Sequence, residues 1–254
     1  MQVGGPPWRT SRRRFVQAVV GAGLLAAVPR TALLMPGRDQ LPSPPAPGTS
    51  QPIFDFPWVP GESRYWTGGP HGQLRPQCMD HDKPECAALV PIAERSGLDF
   101  ALGGWEPRPM APGTVIISGF LGAGFGYGVV VDHGHGWQTW YAHMASTGLR
   151  GLGPVTRADS LGTTACTSDE SGRDGGCGSA PHLHVELGRN GRASATGEWI
   201  TYGTPESWHG KVINCWTIVA DRLNYRARAT RGTEMRIPDV NRPSPMNLFR
   251  AGDC

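Results

Sequence analysis

Glycine and proline interrupt this chain so often that a long helix has almost nowhere to form. With 36 Gly and 24 Pro in 254 residues, the apolar segments are short, β-branched or aromatic, and bounded by turn formers, a pattern of strands rather than helices. "GTVIISGF" (113–120), "GYGVVVDHG" (126–134) and "WQTWYAHM" (137–144) are such runs, and the last two read as a hairpin. "PVTRADSLG" (154–162) is a turn that returns to the sheet, and "CWTIVADRLNYRARA" (215–229) adds strands near the C-terminus. The expected fold is mostly β, an antiparallel sheet arranged as a sandwich or open barrel with long loops.

Charge divides the chain unevenly. The first thirty residues hold Arg9, Arg12, Arg13, Arg14 and Arg30 and no acidic residue, so the net charge of +3 belongs to them and the remainder stands at −2. A nucleic-acid-binding reading, which needs a basic stripe in the mature fold, loses its main support, and no nucleic-acid partner is expected. Arg12 and Arg13, followed by Phe15 and the apolar run Ala18–Val28, have the layout of an export signal too short to span a bilayer comfortably. Ser11–Val16 resembles the twin-arginine signal, with a basic patch beside a short anchor as the competing reading. Residues 31–52, including "LPSPPAPGTSQP", form a Pro-rich linker. Residues 53–254 then make one domain with a C-terminal β extension, expected to be a monomer outside the cytoplasm, whether secreted, periplasmic or wall-associated, and not stably inserted in a membrane after export.

An exported chain can keep its cysteines oxidised. Of the pairings open to the six, nearest neighbours are preferred: Cys78 with Cys86 and Cys166 with Cys177 would staple short polar loops, and Cys215 with Cys254 would tie down the terminus. No two close Cys-x-x-Cys pairs occur, which argues against a structural zinc knuckle.

"GSAPHLHVELG" (178–188) reads as a strand in which His182 and His184 share one face while Leu183, Val185 and Leu187 share the other. Two hydrogen-bonded structural histidines would satisfy that pattern, and so would a metal site with further ligands. Zinc used for hydrolysis is normally held by three protein ligands, with a fourth position for water. Asp99, in "SGLDFAL", is a carboxylate between Leu98 and Phe100 that is costly to bury unless paired or metal-bound. His71, in "YWTGGPHG", sits in a glycine-proline turn that can present an imidazole from a loop, and His143 ends the run "TWYAHM".

His71, Asp99, "YAHM" and "APHLHVEL", in that order, resemble the lysostaphin-like zinc endopeptidases that cut peptidoglycan cross-bridges, most closely their beta-lytic and staphylolytic branch. The resemblance spans about Trp66 to Leu187, and its most specific element is the Pro-His-Leu-His-Val-Glu run with Tyr-Ala-His upstream. It implies one zinc ion per chain, held by His71, Asp99 and His184 in a groove framed by loops. It also implies His143 and His182 as the catalytic pair, and hydrolysis of peptidoglycan peptide bonds by a zinc-activated water. The alternative is an inactive relative that binds the wall or regulates an amidase.

One departure stands out. Much of the family places its first histidine four residues before the aspartate, where this chain has Arg95, and a guanidinium stays protonated and cannot ligate. The beta-lytic branch takes its histidine from an earlier Gly-x-His turn, as "GGPH" provides here, while His81 is a rival first ligand.

His143 and His182 would orient or deprotonate the water and assist the oxyanion or leaving amine, with neither job assigned to one of them. Two strand steps set His182 about 7 Å from His184, near enough for substrate and displaced as a ligand. Glu186 continues that face, either orienting an imidazole from behind or lying solvated at the edge. His133 and His135, in "DHGHG", read as solvent-exposed turn residues. The Glu206–His209 pair lacks the upstream partner motif that would make it a zinc site. Trp66, Trp140 and Tyr141 either line a substrate groove or pack in the core.

Overall fold

The computed structural model describes residues 51–72, 90–101, 104–122, 124–165, 181–239, 243–252 and 254. The expected export signal, nearly all of the linker, His81, Cys78, Cys86, Cys166 and Cys177 lie outside the described residues, and with them two of the expected disulfides. Cys215 and Cys254, the third expected pair, are joined, with Cα atoms 5.5 Å apart.

Fifteen strands carry the described fold, and only two short 3-10 turns, Ile92–Glu94 and Pro245–Asn247, interrupt them. In chain order they are β1 (Ser63–His71), β2 (Gly97–Ala101), β3 (Gly113–Gly122), β4 (Gly126–Asp132), β5 (Trp137–Met144), β6 (Gly153–Val155), β7 (His182–Arg189) and β8 (Arg192–Ala193). They continue as β9 (Trp199–Thr201), β10 (Thr204–Pro205), β11 (Val212–Ile213), β12 (Trp216–Ala220), β13 (Ala227–Arg231), β14 (Glu234–Arg236) and β15 (Leu248–Arg250). The main sheet runs β15-β1-β2-β7-β5-β4-β3-β6, with β10 added to the far end of β7. It is antiparallel and open, and a four-stranded sheet, β11-β12-β13-β14, and the β8-β9 ribbon accompany it. No described helix is long and apolar enough to cross a membrane.

Strand alternation divides the main sheet into two faces. On one, Leu98, Phe100, Val129, Val131, Tyr141, Leu183, Val185 and Leu187 enter the principal core, which they share with Trp216, Ile218 and Ala229 of the small sheet. Phe56 stacks on Trp58 at 4.8 Å and lies against Phe249 at 4.6 Å. Truncating one such ring costs about 3–5 kcal/mol, so this cluster pins the core face in place. On the other face, Ile117, Leu121, Val130, Trp140 and Ala142 make a smaller apolar cluster, and the strands beside it carry the histidines.

On this frame the readings left open are decided, and one expectation, that for His133, changes. Trp66 and Tyr141 are fully buried core residues rather than groove walls; the Tyr141 hydroxyl accepts from the Met110 N–H at 2.6 Å. His135 is exposed, but His133 is half-buried, its ring nitrogens meeting the Pro112 carbonyl at 3.0 Å and Thr139 Oγ1 at 2.7 Å, because the β4–β5 turn folds back over the sheet end. Glu206 pairs with Lys211 at 2.7 Å and His209 Nδ1 accepts from the Ala220 N–H at 3.1 Å, so that pair is committed to the scaffold.

Candidate metal centre

Four adjacent strands, β1-β2-β7-β5, supply the site. The β2–β7 register sets Asp99 directly opposite His184, and the β5–β7 register sets Ala142 opposite His184 on the other side. His71 comes not from a loop, as the glycine-proline stretch suggests, but from the last position of β1. Register shifts flank Gly68 in that strand, and such irregularities admit Pro70 where a regular ladder would reject it. Two glycines make the space. A Cβ on Gly97 would lie 2.6 Å from His184 Cε1 and 2.8 Å from His71 Nε2, and one on Gly68 would strike the Asp99 carboxylate.

His71, Asp99 and His184 are all buried, and one ligand-type atom from each falls within 4.8 Å of the others. His184 Nδ1 is 2.9 Å from Asp99 Oδ1 and 3.2 Å from His71 Nε2, and His71 Nε2 is 3.6 Å from Asp99 Oδ1. A tetrahedral ion with bonds of about 2.0–2.1 Å holds its ligand atoms about 3.3 Å apart, so this triangle has the right size for zinc. Its chemistry fits too. The Gly69 carbonyl, 2.8 Å from His71 Nδ1, can only accept, so Nδ1 carries the proton and Nε2 presents a lone pair. A lone-pair nitrogen, a second imidazole nitrogen and a carboxylate oxygen, turned toward one another inside the protein, call for a proton or a metal ion among them.

The electrostatics report the same crowding. Burial pushes the Asp99 carboxyl up, but His71, His182 and His184 outweigh it and hold the group well below the ordinary carboxylate range. Burial drives His71 down to about 4 against the pull of Asp99. Burial would also lower His184, yet its bond to Asp99 and the nearby Glu186 carboxylate prevail and push it up to about 10. A proton and a metal ion therefore compete for the same nitrogen.

His143 reaches the site through a backbone irregularity. In β5, Tyr141 faces the principal core and Ala142 the opposite face, so strict alternation would bury His143 in the core. Instead His143 adopts φ 59°, a left-handed conformation that costs about 1–3 kcal/mol outside glycine. The β4–β5 register shifts here, Met144 takes the core side, and the His143 ring turns to the site. Its backbone N–H donates to the Phe125 carbonyl at 3.0 Å and its carbonyl accepts from the Ala165 N–H at 2.9 Å, which hold the bulge. The ring centroid of His143 lies 4.7 Å from His182 and 5.5 Å from His184. His182, only half-buried, brings Nε2 to 3.6 Å from Asp99 Oδ1, so the five sequence-predicted site residues all meet in one place.

Other contributors carried no signal in the sequence. Tyr225, from the turn between β12 and β13, stacks on His71 with centroids 3.9 Å apart and planes 14° from parallel. Its carbonyl accepts from the Gly69 N–H at 2.8 Å, and Asn224 Oδ1 accepts from the Gly72 N–H at 3.2 Å. Arg95, at the position where a ligand is absent, is fully buried and grips that same turn. Its guanidinium donates to the carbonyls of Asp221 (2.6 Å), Arg222 (2.9 Å) and Leu223 (3.1 Å), and twice to that of Val90 (3.0 and 2.8 Å). Phe125 and Trp140, 5.8 Å apart, form an apolar wall, and the Phe125 ring lies 5.8 Å from that of His184.

Residues 93–196 match the model of "Peptidase family M23", a span that includes Asp99, His143, His182 and His184 and leaves out His71 and Tyr225. No curated protein matches the chain. Among solved structures, the deep-sea M23 metalloprotease pseudoalterin is 23% identical, with a TM-score of 0.50 over 76% of this chain and 97% of that one. Lysostaphin from Staphylococcus simulans is 18% identical, with a TM-score of 0.37 over 59% of this chain and 52% of its own. The catalytic domain of the prophage-encoded M23 protein EnpA from Enterococcus faecalis is 19% identical, with a TM-score of 0.36 over 57% and 93%. The likeness to pseudoalterin is one of fold.

Proposed function

We propose that this chain is an exported zinc metalloendopeptidase that hydrolyses peptide bonds in bacterial peptidoglycan cross-bridges, a reading supported by the match of residues 93–196 to the model of peptidase family M23. The observation that carries the metal half of this reading is the triangle of His71 Nε2, Asp99 Oδ1 and His184 Nδ1, three buried ligand-type atoms spaced as one zinc ion would hold them. The substrate half rests on the Tyr-Ala-His and Pro-His-Leu-His-Val-Glu resemblance, and the export half on the twin-arginine-like N-terminus.

His71, Asp99 and His184 would hold the ion. A bound zinc supplies a Lewis acid that brings the pKa of water toward neutrality and polarises a scissile carbonyl, so no serine or cysteine nucleophile is required. His143 and His182 act at the open side of the triangle. One accepts the proton of the attacking water, and the other donates to the developing oxyanion and then to the leaving amine. The left-handed backbone at His143 has a function in this scheme, since it is what turns that ring toward the substrate. Phe125 and Trp140 supply an apolar surface beside these groups.

Metal analysis and activity test the reading together. The purified chain should carry one zinc per molecule and solubilise peptidoglycan, and chelation should remove both. His184→Ala should fold, lose the zinc and lose at least about a thousandfold in rate, in keeping with removal of a catalytic metal. A folded parent chain that takes up no zinc would overturn the proposal in favour of an inactive wall-binding relative.

A further inference from the structure

The two ligand histidines present opposite nitrogens, Nε2 for His71 and Nδ1 for His184. Each ring's other nitrogen must then carry a proton that something accepts, and for His71 the Gly69 carbonyl does so at 2.8 Å. His184 Nε2 is buried and makes no ordinary hydrogen bond among the described residues. What faces it is Glu186 Oε1 at 3.4 Å, a few tenths of an ångström beyond a normal N–H···O bond.

Glu186 is itself hard to explain otherwise. Strand alternation places it on the site face, two residues past His184, where its side chain is only 14% exposed. Its cross-strand partners are Gly97 and Trp140, neither of which supplies charge, and among the described residues no lysine or arginine pairs with it. A carboxylate taken so far out of water needs a donor, and the His184 N–H faces it.

We propose that Glu186 is the positioning residue of the metal centre: its carboxylate accepts the Nε2 proton of His184, fixes the tautomer that frees Nδ1, and makes that nitrogen a stronger donor to the ion. The proposal rests on the zinc centre above and deepens it. The two ligand histidines are then held unequally, one by a neutral backbone carbonyl and the other by a charged carboxylate, so His184 is the stronger ligand and Glu186 the origin of the difference.

The test measures zinc affinity on the full folded chain, by competition with a chromophoric chelator, for the parent, Glu186→Ala and Glu186→Gln, with visible absorption of the cobalt-loaded proteins alongside. Glu186→Ala should weaken zinc about 10–100-fold, while the metal-stripped protein still unfolds in one cooperative transition. Glu186→Gln keeps an acceptor without the charge and should recover most of the loss, ending several-fold below the parent, with cobalt bands closer to those of the parent than the alanine variant gives. Parental affinity in Glu186→Ala overturns the proposal. So does parental affinity with impaired peptide hydrolysis, which would put Glu186 on the substrate instead. If Glu186→Ala does not fold, parental affinity in Glu186→Gln overturns it alone. A parent chain that binds no zinc defeats the zinc reading itself, an outcome distinct from either.

Discussion

Asp99, His182 and His184 sit on neighbouring strands whose register alone sets them side by side, whereas His71 ends a bulged strand and is held from behind by a turn of the other sheet. In the first region the side chains are aimed by the pleat, and the core-facing Leu98, Phe100, Leu183 and Val185 make any register slip expensive, since a shift of one residue would turn them all outward. In the second, aim depends on Tyr225, Asn224 and Arg95, which contact β1 or the turn behind it through stacking and backbone hydrogen bonds. A strand-built half tolerates much change outside it. A buttressed half inherits the stability of whatever buttresses it.

Arg95→Met should give the largest effect. It removes five hydrogen bonds to four carbonyls from a buried guanidinium, and bonds made by a charged group are worth about 1.5–3 kcal/mol each, less where the acceptor is reached by water, as at Asp221 and Arg222. We expect a loss of about 3–5 kcal/mol in urea unfolding, with zinc affinity reduced in the fraction that folds. A change below about 1 kcal/mol would mean that the turn holds itself, and the distinction between the halves would collapse.

Next comes Gly97→Ala, aimed at the point where the halves touch. The new methyl would press on His184 Cε1 and His71 Nε2 together, so zinc affinity should fall about 100-fold, near 2.7 kcal/mol, with little change in the unfolding of the metal-free chain. Unchanged zinc binding would show that the ligand spacing is set elsewhere.

The smallest expected effect sharpens the comparison most. Tyr225→Leu removes an aromatic stack worth about 0.5–1.5 kcal/mol, so zinc binding should weaken up to about tenfold, while Tyr225→Phe keeps it near the parent. Equal loss in both variants would transfer the role from the ring to the hydroxyl.

Much of the strand-built half was legible because its rules are local. "PHLHVELG" alternates, and period two is enough to put His182 and His184 on one face and to flag Asp99 between apolar neighbours. His143 was found by resemblance, but its aim was not legible: alternation alone would have pointed it into the core, and only the left-handed bulge turns it round. The reading of His71 as a loop residue failed because glycine and proline mark turns and bulges alike, and what separates the two is the partner strand. His133 failed similarly, since its glycine-rich setting says nothing of the fold-back that brings Pro112 and Thr139 to it. Tyr225 lies far along the chain from His71, and nothing in "DRLNYRARA" points to a metal.

The sequence alone therefore determined the β character, the two faces of the central strand and the inventory of imidazoles and carboxylate, because side-chain direction in a strand follows from residue order. Tertiary structure decided which nitrogen of each histidine turns inward, which ring stands behind His71, and what a buried arginine does where a ligand is missing. Those depend on distances between segments remote in the chain, and such distances arise only when the two sheets pack over their common core.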